Sequence, residues 1–336
     1  MSATHTCRRR LAVFGLLLCA GFCWEAGAAA RPYSESQPAR GWHFFLRAAK
    51  TDPAAQWAYA RELQQAGRFR AALRQLRALV VFWPAAPEAP EAQLAYARLL
   101  EERGQWSKAF EEYTYLVEHY AGAFPYDEVL DRQFHIAALA MDRRKGKFLF
   151  FPGFYAPERA IPLLEKVLEH GPEWARAAEA QWLIGRANDL SRQYELAIVA
   201  YTAAQVRYPN SPFAEQAALA RATCLERLAR EAPHNEAALE EAWSAAAQFL
   251  HRYPHSDQAP AAVKLRDDLY RRRARLAFER ASYYDRIARQ PRAALLEYRD
   301  FIRLFPYSDW TALAQRRVEA LSQIKEKTDV KTSKNS

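Results

Sequence analysis

The sequence predicts an all-α fold, a solenoid of about six helical hairpins closed by a C-terminal capping helix. Three observations predict it. An alanine is followed twelve positions later by a proline at Ala72 to Pro84, Ala160 to Pro172, Ala197 to Pro209, Ala242 to Pro254 and Ala294 to Pro306, and Ala109 to Ala121 is a sixth copy without the proline. These alanines recur at intervals of 37, 51, 37, 45 and 52 residues, a constant unit with variable insertions. Supersecondary units repeating at roughly 20–50 residues stack into solenoids. Finally, the residues after each alanine keep one helical face.

That face defines the second helix of each hairpin. One position after the alanine stand Leu73, Phe110, Ile161, Ile198, Trp243 and Leu295. Four after it stand Leu76, Tyr113, Leu164, Tyr201, Ala246 and Tyr298, and seven after it Leu79, Leu116, Val167, Ala204, Phe249 and Phe301. Such offsets line one side of a 3.6-residue helix. The alanine is small because a neighbouring helix approaches there. The proline ends the helix and disfavours helical geometry in the residue before it. That residue is Trp83, Tyr208, Tyr253 or Phe305, an aromatic plug at the corner. Two positions past the proline, Ser211, Ser256 and Ser308 are expected N-caps of the following helix.

The first helices of the hairpins are expected at Ala54 to Gln65, Glu91 to Arg103, Trp174 to Leu190 and Phe213 to Arg230. Short turns, Ala66-Gly67-Arg68, Arg103-Gly104-Gln105 and Ser191-Arg192-Gln193, join them to their partners. This arrangement over about residues 50–325 resembles the tetratricopeptide repeat. Its small first-helix residue matches Ala60, Ala97, Gly185 and Ala222, while its signature tryptophan is replaced by Gln56, Gln93 and Gln181.

The last third narrows the resemblance. Tyr253-Pro254-His255-Ser256 leads into one long helix expected from Gln258 to Arg289, carrying Leu265-Arg266-Asp267-Asp268-Leu269 and Tyr283-Tyr284. Arg292-Ala293-Ala294 and Arg303-Leu304-Phe305-Pro306-Tyr307-Ser308 follow, and Tyr208-Pro209-Asn210-Ser211 supplies a further corner. This order resembles the BamD family of outer-membrane β-barrel assembly lipoproteins. Related periplasmic repeat proteins of the CpoB type share the YPxS corners. The BamD resemblance implies a non-catalytic scaffold that docks on the barrel assembly protein and engages client polypeptides. The CpoB-type alternative is a general periplasmic adaptor in envelope or division machinery.

The N-terminus reads as a secretory signal peptide over residues 1–30. Arg8-Arg9-Arg10 precedes an apolar stretch from Leu11 to Cys23, shorter than the roughly 20 residues that span a bilayer. Ala26-Gly27-Ala28 and Ala28-Ala29-Ala30 offer cleavage sites. The BamD resemblance implies a lipidated cysteine. Cys23 is the candidate, with Ala20-Gly21 ahead of it but Phe22 where a small residue is expected. Export places the chain in the periplasm, and the BamD resemblance implies association with the outer membrane. The domain reading continues with a lead-in over 31–50, repeats over 51–209 and BamD-like repeats over 210–326. A disordered tail over 327–336 completes it.

Cys7, Cys19 and Cys23 lie in the leader, so Cys224 alone remains and is expected to be a buried thiol. The formal net charge is +9. Basic residues cluster at Asp142 to Lys147, at Arg271-Arg272-Arg273 with Arg275, and from Lys325 to Lys334. Export and the lack of a nucleic-acid motif exclude DNA and RNA as partners. Anionic headgroups, envelope polymers or an acidic protein partner remain. Arg271 and Arg272 are therefore candidate partner-binding residues, against a reading in which Asp267, Asp268 and Glu279 neutralise a solvated face.

An insertion at 143–157 accounts for the 51-residue interval from Ala109 to Ala160. It places Phe148, Phe150, Phe151, Phe154 and Tyr155 beside a basic run. These aromatics are expected either to contact a partner or to cap a groove between hairpins. No catalytic, cofactor or metal motif is present. His251 and His255 straddle Pro254 and do not share a helix face, and Glu101-Glu102 and Glu111-Glu112 read as exposed helix faces. The chain is expected to bind rather than catalyse.

Overall fold

The computed structural model describes residues 46–142, 144–145 and 154–334. Contacts group the chain into two compact units, Met1–Ala92 and Gln93–Ser336. The first unit holds a helical hairpin, α1 (Pro53–Gln65) with α2 (Phe69–Phe82). The helix α3 (Ala89–Glu102) begins at its end and runs into the second unit. That unit continues with α4 (Trp106–His119), α5 (Tyr126–Asp142), α6 (Ile161–His170), α7 (Ala177–Leu190) and α8 (Tyr194–Arg207). It ends with α9 (Pro212–Glu231), α10 (Glu236–Arg252), α11 (Ala259–Arg286), α12 (Pro291–Leu304) and α13 (Thr311–Lys334). From α4 to α13 each helix packs on the next. The described residues have the expected all-α, tetratricopeptide-like helical-hairpin architecture, and the second unit ends with α13 packed on α12.

The repeat face is the core. All six register alanines are completely buried, and so are Leu76, Tyr113, Leu164 and Tyr298 four positions on. Burying such side chains contributes roughly 1.5–3 kcal/mol each, and the alanine lets the facing helix come close enough to do it. Gly185 marks one close approach: a Cβ there would stand 2.5 Å from the Tyr201 ring. The hairpin corners share one geometry. Trp83, Tyr208, Tyr253 and Phe305 have φ between −127° and −131°, because the following proline excludes helix from them. Tyr120 takes φ −126° although Ala121 replaces the proline, so packing alone imposes the turn there.

The glutamines in the signature-tryptophan position are interior residues. Gln56, Gln93 and Gln181 each donate from Nε2 to a backbone carbonyl nineteen residues on, at Gln75 (3.1 Å), Glu112 (2.9 Å) and Ala200 (3.2 Å). The amide thus ties the two helices of a hairpin together, where an indole would have filled the space. Gln133 reaches instead to the preceding hairpin, 2.9 Å from Thr114 Oγ1. In four of the hairpins the turn is left-handed at one residue: Gly67 (φ 71°), Gly104 (φ 69°), Arg192 (φ 60°) and Arg289 (φ 52°).

Several expectations are corrected. Of the three corner serines, only Ser211 is a helix N-cap, accepting from Phe213 N at 3.2 Å. Ser256 and Ser308 accept from Gln258 N and Trp310 N and brace a turn that precedes α11 and α13. The helix expected from Trp174 begins at Ala177; Trp174 sits in the turn before it, its ring edge-on to Phe134 at 5.6 Å. The long helix stops at Arg286, where Arg289 takes up the left-handed turn. The tail expected over 327–336 is helical to Lys334, since neither glycine nor proline interrupts α13. Packing also runs unbroken across 209/210, because that proline corner is one more hairpin turn with α8 packed on α9. Cys224 is fully buried, and burial pushes its thiol up to about 12.

Candidate partner-binding surfaces

The insertion leaves and re-enters the repeat between α5 and α6. Its base is an antiparallel ribbon, β1 (Arg144–Lys145) with β2 (Phe154–Tyr155), in the register Arg144 to Tyr155 and Lys145 to Phe154. The ribbon is followed by a 3-10 turn, Pro157–Ala160, whose Pro157 and Ala160 are buried. Glu158 in that turn accepts from Ser191 Oγ at 2.9 Å, which fixes the base of the insertion to the α7–α8 turn. Tyr155 is half exposed. Phe148, Phe150 and Phe151 lie outside the described residues, as does the Phe154 side chain; so does Cys23.

Beside this base the sequence reading missed a groove of about 560 Å³ between α6, α7 and α8. Leu196 and Val199 form its outer wall and are 56% and 66% exposed. The signal was present in α8, which is apolar on nearly every side. A helix of that kind is normally buried all round.

The arginine run on α11 is split three ways. Arg271 faces solvent and pairs with Asp268. Arg272 turns to α9, donating to Glu226 Oε1 and to the Ala229 carbonyl, both at 3.1 Å. Arg273 lies 4.6 Å over the Trp243 ring, pairs with Glu240, and is held below the usual arginine range by burial. One turn on, Arg275 donates from Nε to Glu279 at 2.8 Å. The expected neutralisation by Asp268 and Glu279 is present, but only two of the four arginines follow it.

Glu101 is also corrected. It does not lie on an exposed face: it accepts from Tyr113 Oη at 2.7 Å and from Arg132 Nη1 at 3.1 Å. Arg132 and Arg98 both reach Glu128, so α3, α4 and α5 are linked by one polar network. Burial and the Glu101 hydrogen bond keep the Tyr113 phenol neutral. For Glu128, burial opposes ionisation, but the hydrogen bonds from Arg132 and Arg98 outweigh it and hold the carboxyl below its ordinary 4.5. Among the described residues no group of three His, Cys, Asp or Glu converges as a metal site, and no helix is long and apolar enough to cross a membrane.

Against known proteins, residues 179–334 match the family model of YfiO, described as an outer membrane lipoprotein. No curated protein matches the chain. Similar solved structures include MamA 41-end from Desulfovibrio magneticus RS-1, at 16% identity and TM-score 0.30, covering 61% of this chain and 97% of that one. A tetratricopeptide repeat protein from Parabacteroides merdae is 12% identical at TM-score 0.30, covering 80% and 98%. The C-terminal part of a TPR repeat-containing protein from Cytophaga hutchinsonii is 17% identical at TM-score 0.33, covering 79% and 88%. Likenesses at this level carry no functional information. The family match begins within α7 and ends with α13, so it starts one hairpin earlier than the 210–326 segment singled out by its YPxS corners. From α7 onward the chain is similar to the YfiO outer membrane lipoprotein family, over the same part of the chain whose corners and long helix carry the BamD resemblance.

Proposed function

We propose that this chain is a non-catalytic periplasmic scaffold that joins partners in outer-membrane β-barrel assembly. The observation that carries the reading is the YfiO match over residues 179–334, in phase with three intact hairpins and the last helix. Repeat hairpins present extended surfaces and bind segments of other chains without turnover. The aromatic insertion is the first docking surface, with Phe148, Phe150, Phe151, Phe154 and Tyr155 as its contacts. Large aromatics anchor interfaces because they bury much area in few residues. Its base supports this reading: the 3-10 turn that follows it buries Pro157 and Ala160, and the Ser191–Glu158 hydrogen bond ties that turn to the α7–α8 turn. The leader directs export, and processing falls between Ala26 and Arg31.

Two measurements test the reading. N-terminal sequencing of the envelope fraction is expected to find a start within Ala26 to Arg31; a chain beginning at Met1 in the cytosol refutes export. A start at modified Cys23 would place a lipid anchor there. Cross-linking followed by pull-down from outer-membrane extracts is expected to recover barrel-assembly components. Recovery of division or envelope-polymer machinery instead refutes the assembly role.

A further inference from the structure

Between α9 and α11, closed at one end by Trp310, lies a recess of about 500 Å³. Its floor is the buried Leu269, and its walls include Arg230, Arg271, Arg272 and Arg275. Arg272 and Arg275 also form one side of a second, apolar recess of about 240 Å³, lined by Pro233, Leu239 and Leu276. The two arginines are therefore a ridge between neighbouring hollows.

The arginines differ in what their surroundings use. Arg272 is committed to Glu226 and the Ala229 carbonyl, and Glu226, itself buried, also accepts from Arg230. Arg230 and Arg275 are each paired through Nε, to Glu226 and Glu279. The side chains of Arg230, Arg271 and Arg275 are 72%, 67% and 69% exposed. Exposed pairs of this kind contribute only about 0–1 kcal/mol to folding, so stability does not account for gathering them. Four guanidiniums stand here against three carboxylates, Glu226, Asp268 and Glu279.

We propose that the two recesses together bind an extended acidic segment of a partner polypeptide, with a carboxylate on the exposed guanidiniums of Arg271 and Arg275 and apolar side chains in the hollows. The proposal rests on the scaffold reading and names the chemistry of one partner. A guanidinium edge matches a carboxylate in a bidentate fork, and every cation of the ridge is arginine. A flat bilayer would meet the rim of such a concavity rather than its floor. Nor does a lipid phosphate have a use for the apolar hollow of Leu239 and Leu276. A peptide fills both.

The test uses the full chain and a fluorescein-labelled peptide alternating Glu with Leu and Phe, followed by anisotropy. The same peptide with Gln for Glu is the comparison, and phosphatidylglycerol vesicles are the alternative ligand. The Glu peptide is expected to bind at least about tenfold tighter than the Gln peptide, and to weaken as salt rises. Arg271→Gln with Arg275→Gln is expected to remove that tenfold preference at an unchanged melting temperature, while Arg70→Gln on α2 leaves it intact. If the double Gln variant unfolds, Arg271→Lys with Arg275→Lys keeps the charge without the fork and is expected to lose several-fold. Equal binding of the two peptides, binding untouched by both double variants, or a loss confined to the vesicles overturns the proposal. None of these outcomes affects capture of envelope proteins by the wild-type chain, on which the scaffold reading stands or falls separately.

Discussion

Arg192 and Arg289 occupy the left-handed turn position that Gly67 and Gly104 fill in the first two hairpins. A Cβ in that conformation costs about 1–2 kcal/mol. Arg192→Gly is therefore expected to stabilise the chain by about 1 kcal/mol, since glycine takes this conformation without strain; an unchanged or lower urea midpoint contradicts it. Gly185 answers in the opposite sense. Glycine to alanine inside a helix normally gains about 1 kcal/mol, but here the new methyl meets the Tyr201 ring at 2.5 Å. Gly185→Ala is expected to destabilise by about 1–3 kcal/mol. Combining it with Tyr201→Leu should recover part of the loss, and a purely additive double variant would show that the ring is not the cause. The same crowding applies to Ala109 and Ala197, both fully buried. Leucine at either is expected to cost about 1–3 kcal/mol, read as a lowered melting temperature.

The helices α3, α4 and α5 are joined by the Arg98–Glu128–Arg132–Glu101–Tyr113 network, and α4 and α6 by Glu118 with Lys166 at 2.9 Å. The hydrogen bond from Lys166 holds the Glu118 carboxyl below its ordinary 4.5, as the two arginines hold Glu128. A carboxylate depressed in the folded state stabilises fully above its unfolded value. That contribution is lost as pH falls through the folded value. His170 adds to the same trend: burial keeps it neutral, so the unfolded chain takes up a proton first as pH falls past 6.5. Stability is expected to decline from about pH 6.5 and more steeply below about 4.5. Urea midpoints at pH 7, 5.5 and 4 check this, and Glu128→Gln should flatten the lower limb. A profile unchanged by that variant would remove Glu128 from the account.

For the whole molecule the prediction concerns the insertion. Replacing Phe150, Phe151 and Phe154 together by Ser is expected to abolish partner capture without lowering the melting temperature. The expectation follows from the proposed docking role, in which large aromatics anchor an interface. Lost stability with retained capture would assign the segment to capping a groove instead, and the apolar hollow beside Leu196 and Val199 is the groove it would cap.

The repeat, its six alanine-centred helices and their aromatic corners were legible in the residues alone, because a helix burying one stripe must place apolar side chains at a fixed period. Arg289 was legible only in part: the long helix was visible, its stop was not, since a left-handed arginine carries no mark in the sequence. The roles of Gln56, Gln93 and Gln181 were invisible for a related reason. An amide departs from the repeat signature in the same way whether it faces solvent or reaches a carbonyl nineteen residues on. Periodicity likewise could not divide Arg271, Arg272 and Arg273. Consecutive helical positions point about 100° apart, and only the placement of α9 and α10 beside α11 decides which guanidinium meets Glu226, which covers Trp243 and which stays in water. Local sequence determined most of the chain's turns and which face each repeat helix buries. The tertiary structure decided which charges and hollows those faces bring together, because that depends on neighbours distant along the chain.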